Sequence, residues 1–259
     1  ADDAYAGSAS YYRLEEKIQE VFGMKYFLPA HQGRACEHLL ARVLVKEGMY
    51  LPMNYHFTTT RALIEKAGGE VVELISEEGL KADSSCPFKG NLDIEKLKQT
   101  IEEKGVDKIG FVRVESGTNL IGGQPVSLEN MKETAKVCKN HGLLCILDAS
   151  VLADNLHFMK TREAQCQKMT IQKIISEVSK CFDIIYFSAR KLTCARGGGM
   201  CFRSEELYKQ VRDLVPLYEG FATYGGISVR EIEAMAIGLE ETLDEDMISQ
   251  GPIFIEEMT

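Results

Sequence analysis

Two rhythms of apolar residues alternate along the chain. Over residues 8–22, Leu14, Ile18 and Val21 are separated by charges, a spacing that predicts an amphipathic helix. The same kind of pattern predicts helices over 35–46, 58–67, 93–104, 127–141, 170–180, 204–214 and 229–243. Gly68-Gly69, Gly105 and Gly142 stop three of them, and Asp93 caps the start of one. Between the helices lie short apolar runs that predict strands over 25–29, 49–53, 71–75, 108–114, 143–147, 182–187 and 199–202. These runs are continuously apolar rather than alternating, which fits a sheet covered by helices on both faces. Strands alternating with helices predict a mainly parallel, doubly wound α/β sheet. No internal repeat or low-complexity linker interrupts it, and beyond residue 243 the chain runs to Thr259 without an evident closing element.

Composition narrows the class. At about 150 residues per domain, 259 residues predict one large domain, or one domain and a fragment. Apolar residues make 45% and charged residues 27%, which is globular and excludes a disordered, collagen-like or coiled-coil chain. Lys and Arg number 30 against 39 Asp and Glu, a net charge of −9 that disfavours gripping nucleic acid. It leaves room for one small anion in a local basic pocket. No apolar run approaches the roughly 20 residues that cross a bilayer, so no membrane partner is expected. Residues 1–10 are acidic and small, unlike a signal peptide. Eight cysteines lie scattered without a C-x-x-C pair, which predicts free thiols in a reducing cytoplasm.

In an open parallel sheet, ligands bind beyond the carboxyl ends of the strands, and several polar groups fall there. His31-Gln32-Gly33-Arg34 joins a strand to a helix, a setting that suits phosphate or an ordinary capped turn. Asp148 ends an apolar strand, where a carboxylate serves as a helix cap or as partner to a protonated ring nitrogen. Ser188-Ala189-Arg190-Lys191 follows another strand, and a half-sheltered Lys191 amine there can act as a nucleophile. Phe57, beside Thr58-Thr59-Thr60-Arg61, offers a flat face or plain core packing. Together these are the parts that pyridoxal phosphate needs: donors for its phosphate, a carboxylate for its ring nitrogen and an amine for its aldehyde.

The chain resembles the tyrosine phenol-lyase and tryptophanase family of pyridoxal-phosphate β-eliminating lyases. The matching stretches are Asp2-Asp3-Ala4-Tyr5-Ala6-Gly7-Ser8, His31-Gln32-Gly33-Arg34, Phe57-Thr58-Thr59-Thr60-Arg61, Asn119 with Gly122-Gly123-Gln124-Pro125-Val126-Ser127, Asp148-Ala149-Ser150, Ser188-Ala189-Arg190-Lys191, and Tyr218-Glu219-Gly220-Phe221 through Tyr224-Gly225-Gly226. The Phe57 segment and Met235-Ala236-Ile237-Gly238-Leu239 resemble the tyrosine phenol-lyase branch more closely.

The resemblance implies the fold type I large domain of pyridoxal-phosphate enzymes over 1–245, with 246–259 starting a connection to a small C-terminal domain. It implies a Schiff base on Lys191, which would also move the α-proton. Gln32, Gly33, Arg34, Ser188 and Arg190 would hold the phosphate. Phe57 would stack on the ring, Asp148 would pair with its nitrogen, and Asn119 would contact the ring hydroxyl or the substrate carboxylate. Tyr5 would act on the leaving group from a neighbouring subunit of a dimer or tetramer, and Thr58 would touch a phenolic leaving group. The implied reaction breaks the Cβ bond of an aromatic amino acid and yields pyruvate and ammonia.

Three departures qualify the resemblance. Family members are considerably longer, and their arginine for the substrate carboxylate lies outside the matched region. Val151 stands where the family carries an arginine for the cofactor hydroxyl, and losing a charge-assisted hydrogen bond costs about 1.5–3 kcal/mol. Family members also often bind a monovalent cation such as potassium. Here Asp3 replaces a glutamate ligand and Arg196 stands in a loop position that is otherwise uncharged, so Arg196 would supply the positive charge. Alternatives are a relative that binds cofactor or partners without turnover and a β-lyase acting on S-substituted cysteine. A dinucleotide enzyme fits less well, because Gly197-Gly198-Gly199 leads into a strand and no G-x-G-x-x-G opens a helix. Zinc on His31, Cys36 and His38 fits no common spacing, and no metal ligand is assigned.

Overall fold

In the computed structural model, which describes residues 8–220 and 226–258, seven strands share one sheet. They are β1 (Tyr26–Ala30), β2 (Tyr50–Met53), β3 (Glu70–Glu73), β4 (Val112–Glu115), β5 (Cys145–Asp148), β6 (Ile184–Ser188) and β7 (Gly198–Phe202). Their order across the sheet is β1-β7-β6-β5-β4-β2-β3. The pairs from β6 to β3 are all parallel, while β7 runs antiparallel to both β6 and β1. The expected mainly parallel sheet is therefore present, with β7 the exception. A parallel return needs a crossover of a dozen or more residues, and the short connection over 189–197 allows only a reversal.

The helices are α1 (Ala9–Phe22), α2 (Gly33–Leu44), α3 (Thr58–Lys66), α4 (Ile94–Lys104), α5 (Leu128–His141), α6 (Leu152–Arg162), α7 (Ile171–Ser179), α8 (Ala189–Leu192), α9 (Glu205–Arg212), α10 (Val215–Tyr218), α11 (Val229–Glu241) and α12 (Glu245–Met258). Their starts are chemically marked. Ser8, Asp93, Ser127, Thr170 and Ser204 each accept a backbone N–H of the first turn. Gly23 and Gly142 close α1 and α5 in the left-handed conformation. The helix α6 was not anticipated, because its buried face carries Asn155 and His157 and so breaks the apolar stripe. Residues 246–259 are expected to open a connection; Glu245–Met258 form α12, which packs on α6.

Two cores flank the sheet. Leu14, Leu97, Met131, Leu156, Ile174 and Ile232 pack on one face. Leu39, Leu40, Ile64 and Val211 pack on the other. Strand side chains alternate between faces. Val112 and Val114 of β4, Leu147 of β5 and Ile185 of β6 join the first core, while Phe111, Ile146 and Tyr186 join the second. This alternation sends Arg113 and Glu115 toward α2, the same side as Tyr186, and it makes the second face the one that carries charge.

On the first face, α11 anchors the segment after α8. The Thr242 hydroxyl donates to the Leu192 carbonyl at 3.1 Å. Gly238 brings the two backbones together, for a Cβ there would lie 2.1 Å from the Thr193 carbonyl oxygen. We expect Gly238→Ala to cost about 1–3 kcal/mol through overpacking. A thermal melt should show Tm falling by several degrees.

Candidate active site

A cleft of about 400 Å³ opens beyond the carboxyl ends of β4, β5 and β6. One wall is the start of α2, where Gln32, Gly33 and Arg34 line the space. Gln32 caps α2 without a side-chain hydrogen bond. Gly33 lets this turn meet the end of β6, since a Cβ would stand 3.1 Å from Ser188 Cβ and 3.2 Å from its backbone nitrogen. Arg34 and Arg190 are exposed and both line the cleft. A helix start, two guanidinium groups and the Ser188 hydroxyl can hold a phosphate. His31 donates its backbone N–H to Glu219 at 2.8 Å, and its Nδ1 lies 2.9 Å from the same oxygen, so the segment before residue 220 is tied to this wall.

Lys191 sits on the single-turn helix α8, directly past β6. Its Nζ lies 5.2 Å from the centroid of the Phe57 ring, which stands at the start of α3. The sequence led us to expect a half-sheltered amine. Lys191 is instead exposed, because α8 ends within one turn and leaves the residue at the mouth of the cleft.

Asp148 is buried at the base, and a network of charges explains how it stays there. Its Oδ2 accepts Arg113 Nη2 at 2.6 Å and the Tyr186 hydroxyl at 3.0 Å. Its Oδ1 accepts the Ser150 backbone N–H at 3.0 Å. Arg113, 1% exposed, also donates to Glu115 Oε2 at 3.1 Å, and its Nε donates to the Tyr186 oxygen at 2.8 Å. Glu37 of α2 lies 3.2 Å from the Tyr186 oxygen as the alternative acceptor for its one hydrogen, accepts the Thr59 hydroxyl at 2.6 Å, and also accepts from Thr60. Burial lifts the Glu115 carboxyl above its usual range, against the downward pull of Arg113. Burial likewise raises the Tyr186 phenol, which stays a hydroxyl.

The residues singled out from the sequence do not all meet. Gln32, Gly33, Arg34, Phe57, Asp148, Ser188, Arg190 and Lys191 line the one cleft. Thr58 is exposed at the start of α3, and Thr59 rather than Thr58 lines the space. Asn119 is exposed on a turn, where its backbone N–H donates to Glu115 Oε1 at 3.0 Å. Val151 borders the cleft with an apolar side chain. Arg196 borders it too, while its backbone N–H donates to Glu231. Tyr5, Asp3, Phe221 and Tyr224 lie outside the described residues. Among the described residues, no group of three or more His, Cys, Asp or Glu is arranged to hold a metal ion. Sequence reasoning missed Arg113, Glu115, Glu37 and Tyr186. The available signal was ionisable residues inside an apolar strand and on the apolar stripe of a helix.

The raised Glu115 carboxyl has a pH signature. Above the ordinary glutamate value of 4.5, the folded chain keeps a proton that the unfolded chain has released, so this group's contribution to stability falls as pH rises. Glu115→Gln removes that titration. The stability of the parent protein relative to the variant should therefore decline from pH 4.5 toward neutrality, as read by melts across that window.

The beta-eliminating lyase family model matches residues 1–255. Tyrosine phenol-lyase of Symbiobacterium thermophilum is 42% identical over 249 residues, covering 96% of this chain and 54% of that protein. The Pasteurella multocida tyrosine phenol-lyase is 41% identical over 244 residues, covering 94% and 53%. The chain thus spans about half the length of these curated relatives. Among solved structures, Sphingomonas wittichii serine palmitoyltransferase superposes with TM-score 0.63 at 12% identity, over 92% of this chain and 52% of that one. A serine palmitoyltransferase from S. paucimobilis with a bound PLP–myriocin aldimine gives TM-score 0.63 at 11% identity, over 95% and 55%. At such identity the likeness is one of fold, the type I fold of pyridoxal-phosphate enzymes. With the family pattern matched along nearly its whole length, the chain belongs to the beta-eliminating lyases.

Proposed function

We propose that the protein is a pyridoxal-phosphate-dependent carbon–carbon lyase that removes the side chain of an aromatic amino acid by α,β-elimination, releasing pyruvate and ammonia. The observation that carries this reading is the Lys191 amine 5.2 Å from the Phe57 ring centroid, in the same cleft as Asp148 and the α2 start. The donor set fits the cofactor: an anion cradle, a flat aromatic face, a buried carboxylate and an amine. When bound, pyridoxal phosphate supplies the electron sink for the carbanion left by loss of the α-proton.

The protein's own groups do the rest. Gln32, Gly33, Arg34, Ser188 and Arg190 would hold the phosphate, and Phe57 would offer its face to the ring. Asp148 would accept the ring N–H. Lys191 would hold the aldehyde carbon through Nζ and move the α-proton. By resemblance alone, Asn119 would contact the ring hydroxyl or the substrate carboxylate and Thr58 a phenolic leaving group, although neither lines the cleft. Tyr5 protonates the leaving group from a neighbouring subunit of a homo-oligomer. Arg196 supplies a positive charge in place of a monovalent cation; activity that still required potassium would refute that role. Residues 1–245 act as the cofactor domain, and 246–259 lead toward a small C-terminal domain. The eight free thiols support a reducing, cytoplasmic setting.

A second reading, cofactor binding without turnover, is favoured by Val151, which offers the cleft no donor. The test combines labelling with turnover. Borohydride should fix the cofactor on Lys191, and Lys191→Ala should lose the visible absorbance and lower pyruvate release at least about 100-fold. A Lys191→Ala protein of unchanged colour would falsify the assignment. Pyruvate from tyrosine, tryptophan or S-alkyl cysteine selects turnover and ranks the leaving groups, whereas silence on all three selects the second reading.

A further inference from the structure

Behind Asp148 lies a set of buried groups that the proposed elimination leaves unused. One guanidinium, Arg113, serves three carboxyl groups: Asp148 at 2.6 Å, Glu115 at 3.1 Å and Glu37 at 3.9 Å. All four side chains are at least nine-tenths buried. Taking charges out of water is costly unless they are balanced, and this cluster is short of positive charge. It is not sealed in the core, however. Asp148, Glu115, Glu37 and Tyr186 all border the cleft, so a ligand seated there can reach the cluster.

The donors around Asp148 also fix its direction. Arg113 of β4 and Tyr186 of β6 address one oxygen, and the backbone after β5 addresses the other. Tyr186 accepts from Arg113 and has one hydrogen to give, toward Asp148 or Glu37. A carboxylate gripped from three elements cannot turn to suit a ligand, so it selects ligands by what they present.

We propose that Arg113 and Tyr186 are positioning residues that hold Asp148 as a fixed acceptor for a cationic N–H donor in the cleft, whose charge offsets part of the buried cluster's negative excess. This rests on the cofactor reading above, in which the donor is the protonated ring nitrogen. The ligand class is a heteroaromatic cation with an N–H edge, and selection is for charge at that one ring position. Burial raises the Glu115 carboxyl, which accords with a cluster that lacks positive charge.

The experiment compares binding of pyridoxal phosphate with its deaza analogue, in which a carbon replaces the ring nitrogen. Both keep the aldehyde and the phosphate, and borohydride trapping on Lys191 reports occupancy of each. The parent protein should prefer the nitrogen compound by about tenfold or more. Tyr186→Phe and Arg113→Gln should bring the ratio toward unity, and Arg113→Lys should restore part of it. Circular dichroism checks the fold of each variant, and Tyr186→Phe, which removes one hydroxyl, decides the matter if Arg113→Gln does not fold. Folded variants that keep the parent ratio overturn the proposal. A parent protein that traps both compounds equally also overturns it while leaving the cofactor reading intact. A parent that traps neither compound overturns the cofactor reading, and this proposal with it.

Discussion

Arg113 cannot leave water without taking partners with it, and meeting that demand organises the centre of the molecule. A guanidinium has five N–H donors, and here they reach Asp148, Glu115, Tyr186 and the Tyr55 carbonyl. Those partners come from β5, β4, β6 and the segment before α3. Each must be in register for the charge to be tolerated. Removing one partner from such a buried pair costs about 3–5 kcal/mol, so the arrangement is enforced by the penalty for breaking it. The apolar cores then fill the space on either side.

The groups that face the cleft sit on the rim of this buried centre. Lys191 rides on one turn of helix, yet the chain after it is pinned by Gly238 of α11 and by Thr242, which caps that helix. Phe57 begins α3, whose Thr59 and Thr60 are bonded to Glu37. The residues facing the cleft thus inherit their positions from groups one layer behind them.

Much of this architecture was legible in the sequence, because most strands are continuous apolar runs and most helices carry a cap or a glycine stop. What escaped notice did so for physical reasons. The apolar stripe of α6 is broken by Asn155, which is buried because it bonds the backbone of Gly117 and Val126. The direction of β7 depends on the length of a connection, which periodicity does not encode. The cleft was legible at Asp148 and Lys191, which stand at strand ends. Arg113 lay inside a run correctly expected to be a strand, but a single charge there does not announce which groups will neutralise it. Thr58 and Asn119 came only through resemblance, and they lie at the margin of the space rather than along it.

The pairing of β4, β5 and β6 sets Glu115 opposite Asp148 and Asp148 opposite Tyr186. These side chains therefore occupy successive rungs of one ladder, at the strand spacing of about 4.8 Å. The hydrogen-bonded backbone acts as a ruler that no single side chain can reset. Chemistry on such a scaffold is altered by exchanging the group on a rung, and the distances to the neighbouring rungs survive the exchange.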